Sequence, residues 1–590
     1  MSAHSPHLAV GRRPLLRMPL AAAAALSVAL AAGSAAPAAP SAKPPRPNVI
    51  VIETDDQDQE SIRVMPRTRE LIGGQGVTFA NSFVNHSLCC PSRATFLTGQ
   101  YSHNHGVRSN NPPNGGFDRL NSSNTLPVWL QRTGYYTGQI GKYLNGYASH
   151  RDDPGGPLTP AGWSEFHGIT GSGFYGFELN EGGVLNSYGS EAENPDNPGD
   201  PGSYSTDVYT AKAIDFINRR AGATQPFFLW LTYNAPHGGP PDPLGNRCFD
   251  TAKPSARHLT AFDSEPLPQP PSFNEADVSD KPPSFRSRPS FSGEELTTIT
   301  RNYRCRLASL LAVDEGVEQI YAALAAGGAL SNTLLVFTSD NGFMHGEHRI
   351  ESGKIVPYEE SIRVPLMIRG PGFRGGGVVR DLAINADLVS TIVRATGAQP
   401  ALTLDGVGLQ RTARSPGRER GRELSIESNA YTGVRTSRYT YLVYTRGENN
   451  GFEELYDMRA DPFQLQNLAA SPPYAAIRAA LAERLASLRG CVGESCRYVP
   501  RLQMKLRDRD PRRCARRPVR ARVRGADAGK VALAEFFVKG RRAARDRKRP
   551  FVRGLPFNRL KPTRASLVRV RATLLDGRRV TIDRRLRACR

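Results

Sequence analysis

Three short segments of the chain are apolar at almost every position. They are NVIVIET (48–54), PFFLWLTYN (226–234) and TLLVFTS (333–339). A strand that is buried on both faces of a parallel sheet shows this continuous pattern. Between these segments, apolar residues recur at helical spacing, for example over 207–221 and 306–326. This alternation predicts an α/β fold in which helices sandwich a large, mostly parallel sheet.

Polar residues follow each of the three apolar segments. Asp55 and Asp56 follow the first, His237 follows the second, and Asp340 and Asn341 follow the third. In open α/β sheets, ligands bind outside the carboxyl ends of the strands. The pattern therefore predicts a functional site at this edge of the sheet.

The composition changes in the last third of the chain. After position 400 the sequence has Arg/Gly-rich turns, a strand-like RYTYLVYT segment and a helical AAIRAALAERLASLR segment. We expect a catalytic α/β domain over 46–400 and a smaller α+β subdomain over 401–490. A basic linker over 491–528 and a small arginine-rich β domain, folded as a β-sandwich, over 529–590 would complete the chain.

The net charge of +22 is concentrated in the C-terminal segment. Positions 501–590 hold 31 basic and 7 acidic side chains, and the rest of the chain holds 46 and 48. Such a segment favours contact with a polyanion or with the cell wall. It contains no recognition motif for nucleic acid, so we expect no specific nucleic-acid binding.

The N-terminus is typical of an export signal. Arg12, Arg13 and Arg17 precede an alanine-rich apolar run over 18–32. We expect a signal peptide and linker over 1–40 and a secreted, extracellular or cell-wall-associated protein; an uncleaved anchor is the alternative. No transmembrane segment is expected after signal removal. Disulfides suit an exported chain, and short loops favour the pairs Cys248–Cys305, Cys491–Cys496 and Cys514–Cys589.

The segment HSLCCPSRATFLTG (86–99) matches the pattern C-x-P-S-R-x-x-x-L-T-G at Cys89, Pro91, Ser92, Arg93, Leu97, Thr98 and Gly99. Together with GYYTGQIGKYL, TDD, APH, SDNG, GKIVPYEESIRVPLMIRGPG and ELYDMRADPFQLQNLA, it resembles the formylglycine-dependent sulfatases of the alkaline phosphatase superfamily. The resemblance extends over about 48–468. LCCPSR, HNH and GKYLN are most similar to glucosamine 6-sulfatases and related heparan sulfatases.

The resemblance implies that a formylglycine-generating enzyme converts Cys89 to formylglycine (3-oxoalanine) during maturation. Pro91 suits the first turn of a helix, whose free N–H groups and positive dipole end would then face residue 89. Arg93, one turn later, would hold an alkoxide or a sulfate oxygen. A buried structural cysteine or a half-cystine is the alternative reading of Cys89.

The acidic pairs indicate a metal site. Asp55, Asp56, Asp340 and Asn341 offer only oxygen ligands, which favour Ca²⁺ and, less strongly, Mg²⁺. By resemblance, converted residue 89 would be a further ligand, so that the cation binds its hydroxyl. Ordinary turn chemistry is the alternative for each pair taken alone.

The resemblance also implies roles for three basic residues. Lys142 and Lys354 match the two sulfate-binding lysines of the family, and His237 is placed to protonate the leaving alcohol. A hydroxyl of hydrated formylglycine would attack sulfur, the alcohol would leave with a proton from His237 or Lys354, and the second hydroxyl would expel sulfate.

One position departs from the family pattern. Many members carry a histidine two residues after the first lysine, where this chain has Leu144. His105, His103 and Asn145 are the candidates to take over its proton transfer. His345 and His348, in MHGEH, could line the pocket or belong to a plain loop.

These observations favour a secreted sulfatase that hydrolyses sulfate monoesters of amino-sugar or glycosaminoglycan-type carbohydrate. Two alternatives stay open. One is a formylglycine-dependent phosphonate monoester or phosphodiester hydrolase. The other is a catalytically inactive protein that binds polyanions through its basic C-terminal segment.

Overall fold

The structure is a computed structural model. It describes residues 46–152, 155–171, 173–189, 204–239, 248, 251–373, 375–416, 421–497, 500–509, 514–556 and 565–588. The predicted signal peptide and linker, as well as Cys589 of the predicted third disulfide, lie outside these residues. None of the described helices combines the length and the apolar character needed to cross a bilayer.

The strands of the described residues belong to four sheets. In chain order they are β1 (Asn48–Thr54), β2 (Val77–Phe79), β3 (Ser82–Phe83), β4 (Tyr136–Gly141), β5 (Glu165–Ile169), β6 (Phe177–Glu181), β7 (Val184–Tyr188), β8 (Phe227–Thr232), β9 (Thr333–Ser339), β10 (Leu366–Arg369), β11 (Gly377–Val379), β12 (Ala383–Ile384), β13 (Glu423–Glu427), β14 (Tyr431–Thr436), β15 (Tyr439–Tyr444), β16 (Glu453–Asp457), β17 (Gln503–Arg509), β18 (Cys514–Arg524), β19 (Val531–Val538), β20 (Arg541–Asp546), β21 (Val552–Gly554), β22 (Ser566–Leu574) and β23 (Arg579–Ala588).

The α-helices range from single turns to one long helix. They are α1 (Pro66–Thr68), α2 (Cys89–Thr98), α3 (Ser102–His105), α4 (Leu126–Arg132), α5 (Ser205–Arg220), α6 (Pro283–Arg286), α7 (Gly293–Ala326), α8 (Glu359–Ile362), α9 (Ala386–Thr396), α10 (Gln410–Arg414) and α11 (Ala475–Leu488).

The largest sheet has the strand order β11-β2-β10-β9-β1-β8-β4-β5-β6-β7. Its central strands β9, β1, β8, β4 and β5 are parallel, and antiparallel strands are added on both sides. The three apolar segments form the neighbouring strands β9, β1 and β8. Their carboxyl ends therefore meet at one edge, as the sequence predicts.

Alternate residues of β1 face two separate apolar cores. Val49 and Val51 pack with residues of α2, α4 and α9. Ile50 and Ile52 pack with residues of α5 and α7 on the other face. The sheet is thus covered by helices on both faces, which explains the continuous apolar pattern of its strands and confirms the predicted α/β architecture.

Helix α7 begins well before the apolar pattern that predicted it. The pattern starts at Arg306, but the helix starts at Gly293. Ser292 caps this start, and the Glu295 side chain accepts a hydrogen bond from the Ser292 N–H at 2.6 Å, which completes a capping box. The polar first turns are stabilised by this local signal rather than by an apolar face.

The C-terminal third adds two smaller β structures. Strands β13–β16 form an antiparallel sheet that packs against α11. Strands β17–β23 form one seven-stranded sheet around its own apolar core, in which a short parallel pairing of β18 with β23 joins the antiparallel strands β17, β18 and β21 to the antiparallel strands β19, β20, β22 and β23. The β-sandwich form stays a prediction. The predicted disulfides Cys248–Cys305 and Cys491–Cys496 are both present. The exact domain boundaries stay a prediction.

Candidate active site

Hydrogen bonds from main-chain N–H groups fix the positions of the acidic residues at the carboxyl ends of β1 and β9. The Asp340 N–H donates to Thr54 O at 3.1 Å, and the Asp56 N–H donates to Asp340 Oδ1 at 3.1 Å. The Asp55 N–H donates to Ala235 O, beyond β8, at 3.1 Å. The sheet order therefore brings three buried carboxylates from distant parts of the sequence into one cluster.

Asp56 and Asn341 form the part of the cluster that best fits a cation. Asp56 has a left-handed backbone with φ of 67°, and its Oδ1 accepts a hydrogen bond from Asn341 Nδ2 at 2.6 Å. The buried Asn341 Oδ1 has no hydrogen-bond partner within the described residues. A buried oxygen without a donor, next to three carboxylates, suits a hard cation such as Ca²⁺.

Cys89 lies at the N-terminus of α2. Leu88 occupies the N-cap position with an extended backbone, and Pro91 lies in the first turn, as the sequence predicts. Lys354 Nζ donates to Cys89 Sγ at 2.9 Å, and Lys142 Nζ lies 3.7 Å from the same sulfur. Residue 89 therefore faces two cationic side chains as well as the positive end of the helix dipole.

The Cys89 thiol is neutral in this environment. Burial, and after it the charge of Asp55, whose Oδ1 lies 3.6 Å from the sulfur, raise its pKa to about 12 against the opposing effect of Lys142 and Lys354. Burial would also raise the pKa of Asp55, but Lys142, His237 and Arg93 outweigh it and hold that pKa well below its usual value. The carboxylate is thus charged and the thiol is not.

Arg93 is fully buried among the carboxylates. Its Nε donates to Asp340 Oδ2 at 2.9 Å, and its Nη2 donates to Asp55 Oδ2 at 3.3 Å. Its Nη1 donates to Lys142 O at 2.8 Å and lies 3.6 Å from Glu53 Oε1. These contacts favour a role in holding the acidic cluster together, whereas the direct contact with a sulfate oxygen stays a prediction.

His237 faces the cluster with one ring nitrogen. Its Nδ1 lies 2.5 Å from Gly238 O and must donate there, which leaves Nε2 free to exchange a proton, 3.8 Å from Asp56 Oδ2. Burial lowers the pKa of His237, and Lys142 lowers it further. The ligand atoms of Asp55, Asp56, Cys89 and His237 all lie within 4.8 Å of one another. A small cavity between Lys142, Phe174, Asn234 and His237 opens at this point.

His103 and His105 are engaged elsewhere. His103 Nδ1 lies 2.9 Å from Glu427 Oε1, and its Nε2 lies 2.9 Å from Cys491 O. His105 Nε2 lies 3.1 Å from Thr95 Oγ1, its Nδ1 accepts from the Val107 N–H, and burial lowers its pKa to about 3. Both nitrogens of each ring have partners, so these contacts favour structural roles over proton transfer.

Leu144, at the position of the family histidine, belongs to the apolar core and is 3% exposed. The next residue, Asn145, donates its N–H to Cys90 Sγ at 3.1 Å. Cys90 is a buried free thiol, and its N–H donates to Asn110 Oδ1 at 2.9 Å. The segment after Lys142 therefore packs against α2, and Asn145 is hydrogen-bonded to Cys90.

The other two histidines after β9 lie against acidic residues. His345 Nε2 is 3.4 Å from Asp58 Oδ2. His348 Nδ1 is 2.6 Å from Glu275 Oε2, and its ring lies against Tyr358. His348, Asp58 and Glu275 are buried and His345 is partly buried, and these contacts favour the plain-loop alternative for both histidines.

The sequence patterns missed two buried charged residues of the site. Arg306 of α7 donates from Nη2 to Asp56 O at 2.6 Å and lies over the Phe343 ring. Glu53, inside β1, lies beside Arg93, and burial raises its pKa to about 8. The available signal was a charged residue at an otherwise apolar position of each element.

The site combines acidic residues at the carboxyl ends of parallel strands with a cysteine at a helix N-terminus, and comparisons with known proteins give its family. The Sulfatase family model matches residues 47–398, and the model of the N-sulphoglucosamine sulphohydrolase C-terminal region matches residues 346–490. The chain belongs to the sulfatase family, within the alkaline-phosphatase-like superfamily, and is a sulfuric ester hydrolase.

Named relatives of the chain are also sulfatases. The chain is 33% identical to an arylsulfatase of Volvox carteri over 76% of each chain. It is 30% identical to human N-acetylglucosamine-6-sulfatase over 77% of this chain and 86% of that protein.

Solved structures share the fold. A structure in complex with D-glucosamine-2-N,6-O-disulfate is 23% identical, with a TM-score of 0.60, over 76% of this chain and 98% of that chain. The phosphonate monoester hydrolase of Agrobacterium radiobacter is 24% identical, with a TM-score of 0.56, over 75% and 95%.

Proposed function

We propose that this protein is a secreted sulfatase that removes sulfate monoesters from amino-sugar or glycosaminoglycan-type carbohydrate. The observation that carries the proposal is the convergence of Lys142 and Lys354 on Cys89 beside the acidic cluster. Two cations that face one position at a helix N-terminus suit the binding of a sulfate group there. The export-type N-terminus supports secretion.

Residue 89 would act after conversion to formylglycine, whose hydrated aldehyde supplies the hydroxyl that attacks sulfur. Asp55, Asp56, Asp340 and Asn341 would hold a Ca²⁺ ion, which would lower the pKa of that hydroxyl. Arg93 orients Asp55 and Asp340 through hydrogen bonds, and its charge opposes the burial that raises the pKa of Asp340 to about 6. Lys142 and Lys354 would stabilise the negative charge on the sulfate oxygens.

The leaving alcohol needs a proton, and His237 is placed to give it. Its Nε2 points toward the cluster while Nδ1 is held by Gly238 O. Lys354 is the second donor within reach of residue 89. Neither His103 nor His105 is proposed for the release of sulfate, because their ring nitrogens have other partners.

The proposed substrate class rests on the named relatives. Human N-acetylglucosamine-6-sulfatase is similar over most of both chains, and the C-terminal match is to an N-sulphoglucosamine sulphohydrolase model. Both names refer to sulfated glucosamine. We therefore propose glucosamine-containing sulfated carbohydrate as the first substrate to test.

Parallel assays of one chromogenic sulfate monoester and the matching phosphonate monoester test the reaction type. We expect the sulfate ester to have the higher kcat/KM. The similarity in fold to a phosphonate monoester hydrolase makes the reverse order the specific alternative. A higher kcat/KM for the phosphonate ester would contradict the proposed function.

A further inference from the structure

A second cavity, of about 310 Å³, has no lining residue in common with the cavity beside His237. Its size is at the lower end of ordinary small-molecule sites. Its most frequent lining residue is arginine, contributed by Arg380, Arg394, Arg411, Arg422, Arg497 and Arg579. Asp381 is the acidic residue among the described lining residues.

These arginines come from several elements between positions 380 and 579. Arg380 lies between β11 and β12, Arg394 is in the last turn of α9, and Arg411 is in α10. Arg579 is the first residue of β23 in the arginine-rich C-terminal structure. The cavity therefore lies where the catalytic domain and that structure meet.

Two of the arginines are fixed by contacts at the cavity wall. Arg422 makes a two-pronged ion pair with Asp387, with both N–O distances at 2.7 Å. Arg497 donates to Gly493 O at 3.2 Å and to Gly406 O at 3.1 Å. Backbone carbonyls do not neutralise its charge, so the wall keeps a positive potential.

Three of the other arginines at the cavity have no charge partner among the described residues. Within the described residues, no hydrogen bond or ion pair engages the guanidinium groups of Arg380, Arg394 or Arg411, and all three residues are exposed. Like charges around one concave site repel each other, and a bound anion would relieve this repulsion. Guanidinium groups also match the planar oxygen pairs of sulfate and carboxylate.

The C-terminal structure is anchored beside the cavity. Arg578, which precedes Arg579, is buried and forms ion pairs with Glu423 at 2.5 Å and with Asp576 at 2.7 Å. Gly577 has φ of 80°, and a Cβ there would lie 2.7 Å from the Tyr439 ring. The buried ion pairs of Arg578 fix the residue next to Arg579 against β13, and the glycine lets the turn before β23 lie close to Tyr439.

We propose that this cavity binds a sulfate- or carboxylate-bearing unit of an anionic carbohydrate chain, at a second site outside the active site. Thr412 and Ser437 in its wall offer hydroxyls for sugar hydroxyl groups. The described lining residues include no aromatic ring on which a nucleobase could stack, which favours carbohydrate over nucleic acid. The choice of carbohydrate rests on the proposed function; the anion site itself does not.

The test measures binding of a heparin octasaccharide to the full-length Cys89→Ala protein by calorimetry at several salt concentrations. Substituting Arg380, Arg394 and Arg411 with Gln should raise Kd about tenfold or more. The negative slope of log K against log salt should become shallower by about two to three. The matched control replaces the exposed Arg541, Arg545 and Arg584 with Gln, which removes the same charge elsewhere. The control should keep most of the affinity.

A second measurement separates this proposal from the proposed function. With Cys89 intact, the triple cavity variant should hydrolyse a small chromogenic sulfate ester at the wild-type rate, and its melting temperature should show that it is folded. Equal losses of affinity in the cavity variant and the control would overturn the second site. Equally good competition by a DNA oligonucleotide of the same charge would overturn its assignment to carbohydrate. An inactive wild-type protein that still binds through the cavity would contradict only the proposed function.

Discussion

The ammonium group of Lys354 lies 2.9 Å from the sulfur of Cys89 and also contacts the Asp56 carboxylate. Burial would lower the pKa of Lys354, but Asp56 and the other anionic groups outweigh it and raise that pKa above its usual value. Lys354 is therefore charged and connects the acidic cluster to the reacting position. Its charge can act on a sulfate group only if that group binds at residue 89.

Replacing Lys354 with Gln should lower kcat/KM for a sulfate monoester by about 100- to 1,000-fold, because a preorganised cation is lost from the transition state. Lys505→Gln removes the same charge from an exposed position of β17 and should leave kcat/KM unchanged. Steady-state kinetics of the two variants check this. A Lys354 variant with near-wild-type kinetics would exclude the proposed role.

Ca²⁺ should stabilise the folded protein. After treatment with a chelator, adding Ca²⁺ at about 100 times its Kd should contribute about 2.7 kcal/mol and raise the melting temperature. Mg²⁺ should have a smaller effect, because it demands stricter geometry and retains its waters.

Asn341→Leu should abolish the shift in melting temperature caused by Ca²⁺, since it removes the buried oxygen that has no partner within the described residues. Asn111→Leu, at an exposed position, should retain it. A full shift in the Asn341 variant would show that Ca²⁺ binds elsewhere.

Leu144→His should not improve the enzyme. Leu144 is buried in the apolar core, so an imidazole there would lose its hydration without gaining a designed partner. We expect a loss of about 1–3 kcal/mol in the free energy of unfolding and no rise in kcat. Leu144→Met should be nearly neutral in both measurements. A higher kcat in the histidine variant would show that the family's proton-transfer position is still usable here.

The His103–Glu427 pair should make stability depend on pH in two directions. Burial raises the pKa of Glu427, but the hydrogen bond and charge of His103 outweigh it and lower the pKa from 4.5 to about 2. Burial lowers the pKa of His103, but Glu427 outweighs it and raises the pKa above 6.5. The Glu427 contribution is present above pH 4.5 and lost as pH falls toward 2. The His103 contribution is present below pH 6.5 and lost as pH rises through the raised pKa.

The stability difference between wild type and Glu427→Gln should therefore be largest between pH 4.5 and 6.5. Denaturant unfolding of both proteins across the acid and neutral range measures it. A difference that does not change with pH would show that the pair does not titrate as its contacts indicate.

The sequence predicted the parts of the fold that depend on local patterns. Strand β9 has the predicted ends. All of its residues are buried, and the four residues after Thr333 are apolar. The start of α7 was missed because it depends on the Ser292 cap rather than on an apolar face. An apolar pattern cannot report a helix that starts in polar residues.

The candidate site was predictable where residues follow strand ends, and less so where charges pair across the fold. Arg93 could be named from its motif, but its contacts with Asp340 and Asp55 depend on the order of β9, β1 and β8. The sequence patterns do not predict that Glu53 and Arg306 belong to the site, because the partners of both residues come from distant segments. The sequence offers His103 and His105 as candidates for proton transfer, but their tertiary contacts with Glu427 and Thr95 favour structural roles.

The most direct test of the account is the mass of the peptide that contains residues 89 and 90, from protein made in a host that forms formylglycine. We predict that residue 89 carries an aldehyde in place of its CH₂–SH group, that Cys90 remains a cysteine, and that sulfatase activity rises with the converted fraction. Cys90→Ala should still be converted, whereas Cys89→Ala should be inactive. An active protein with unmodified cysteine at both positions would contradict the account.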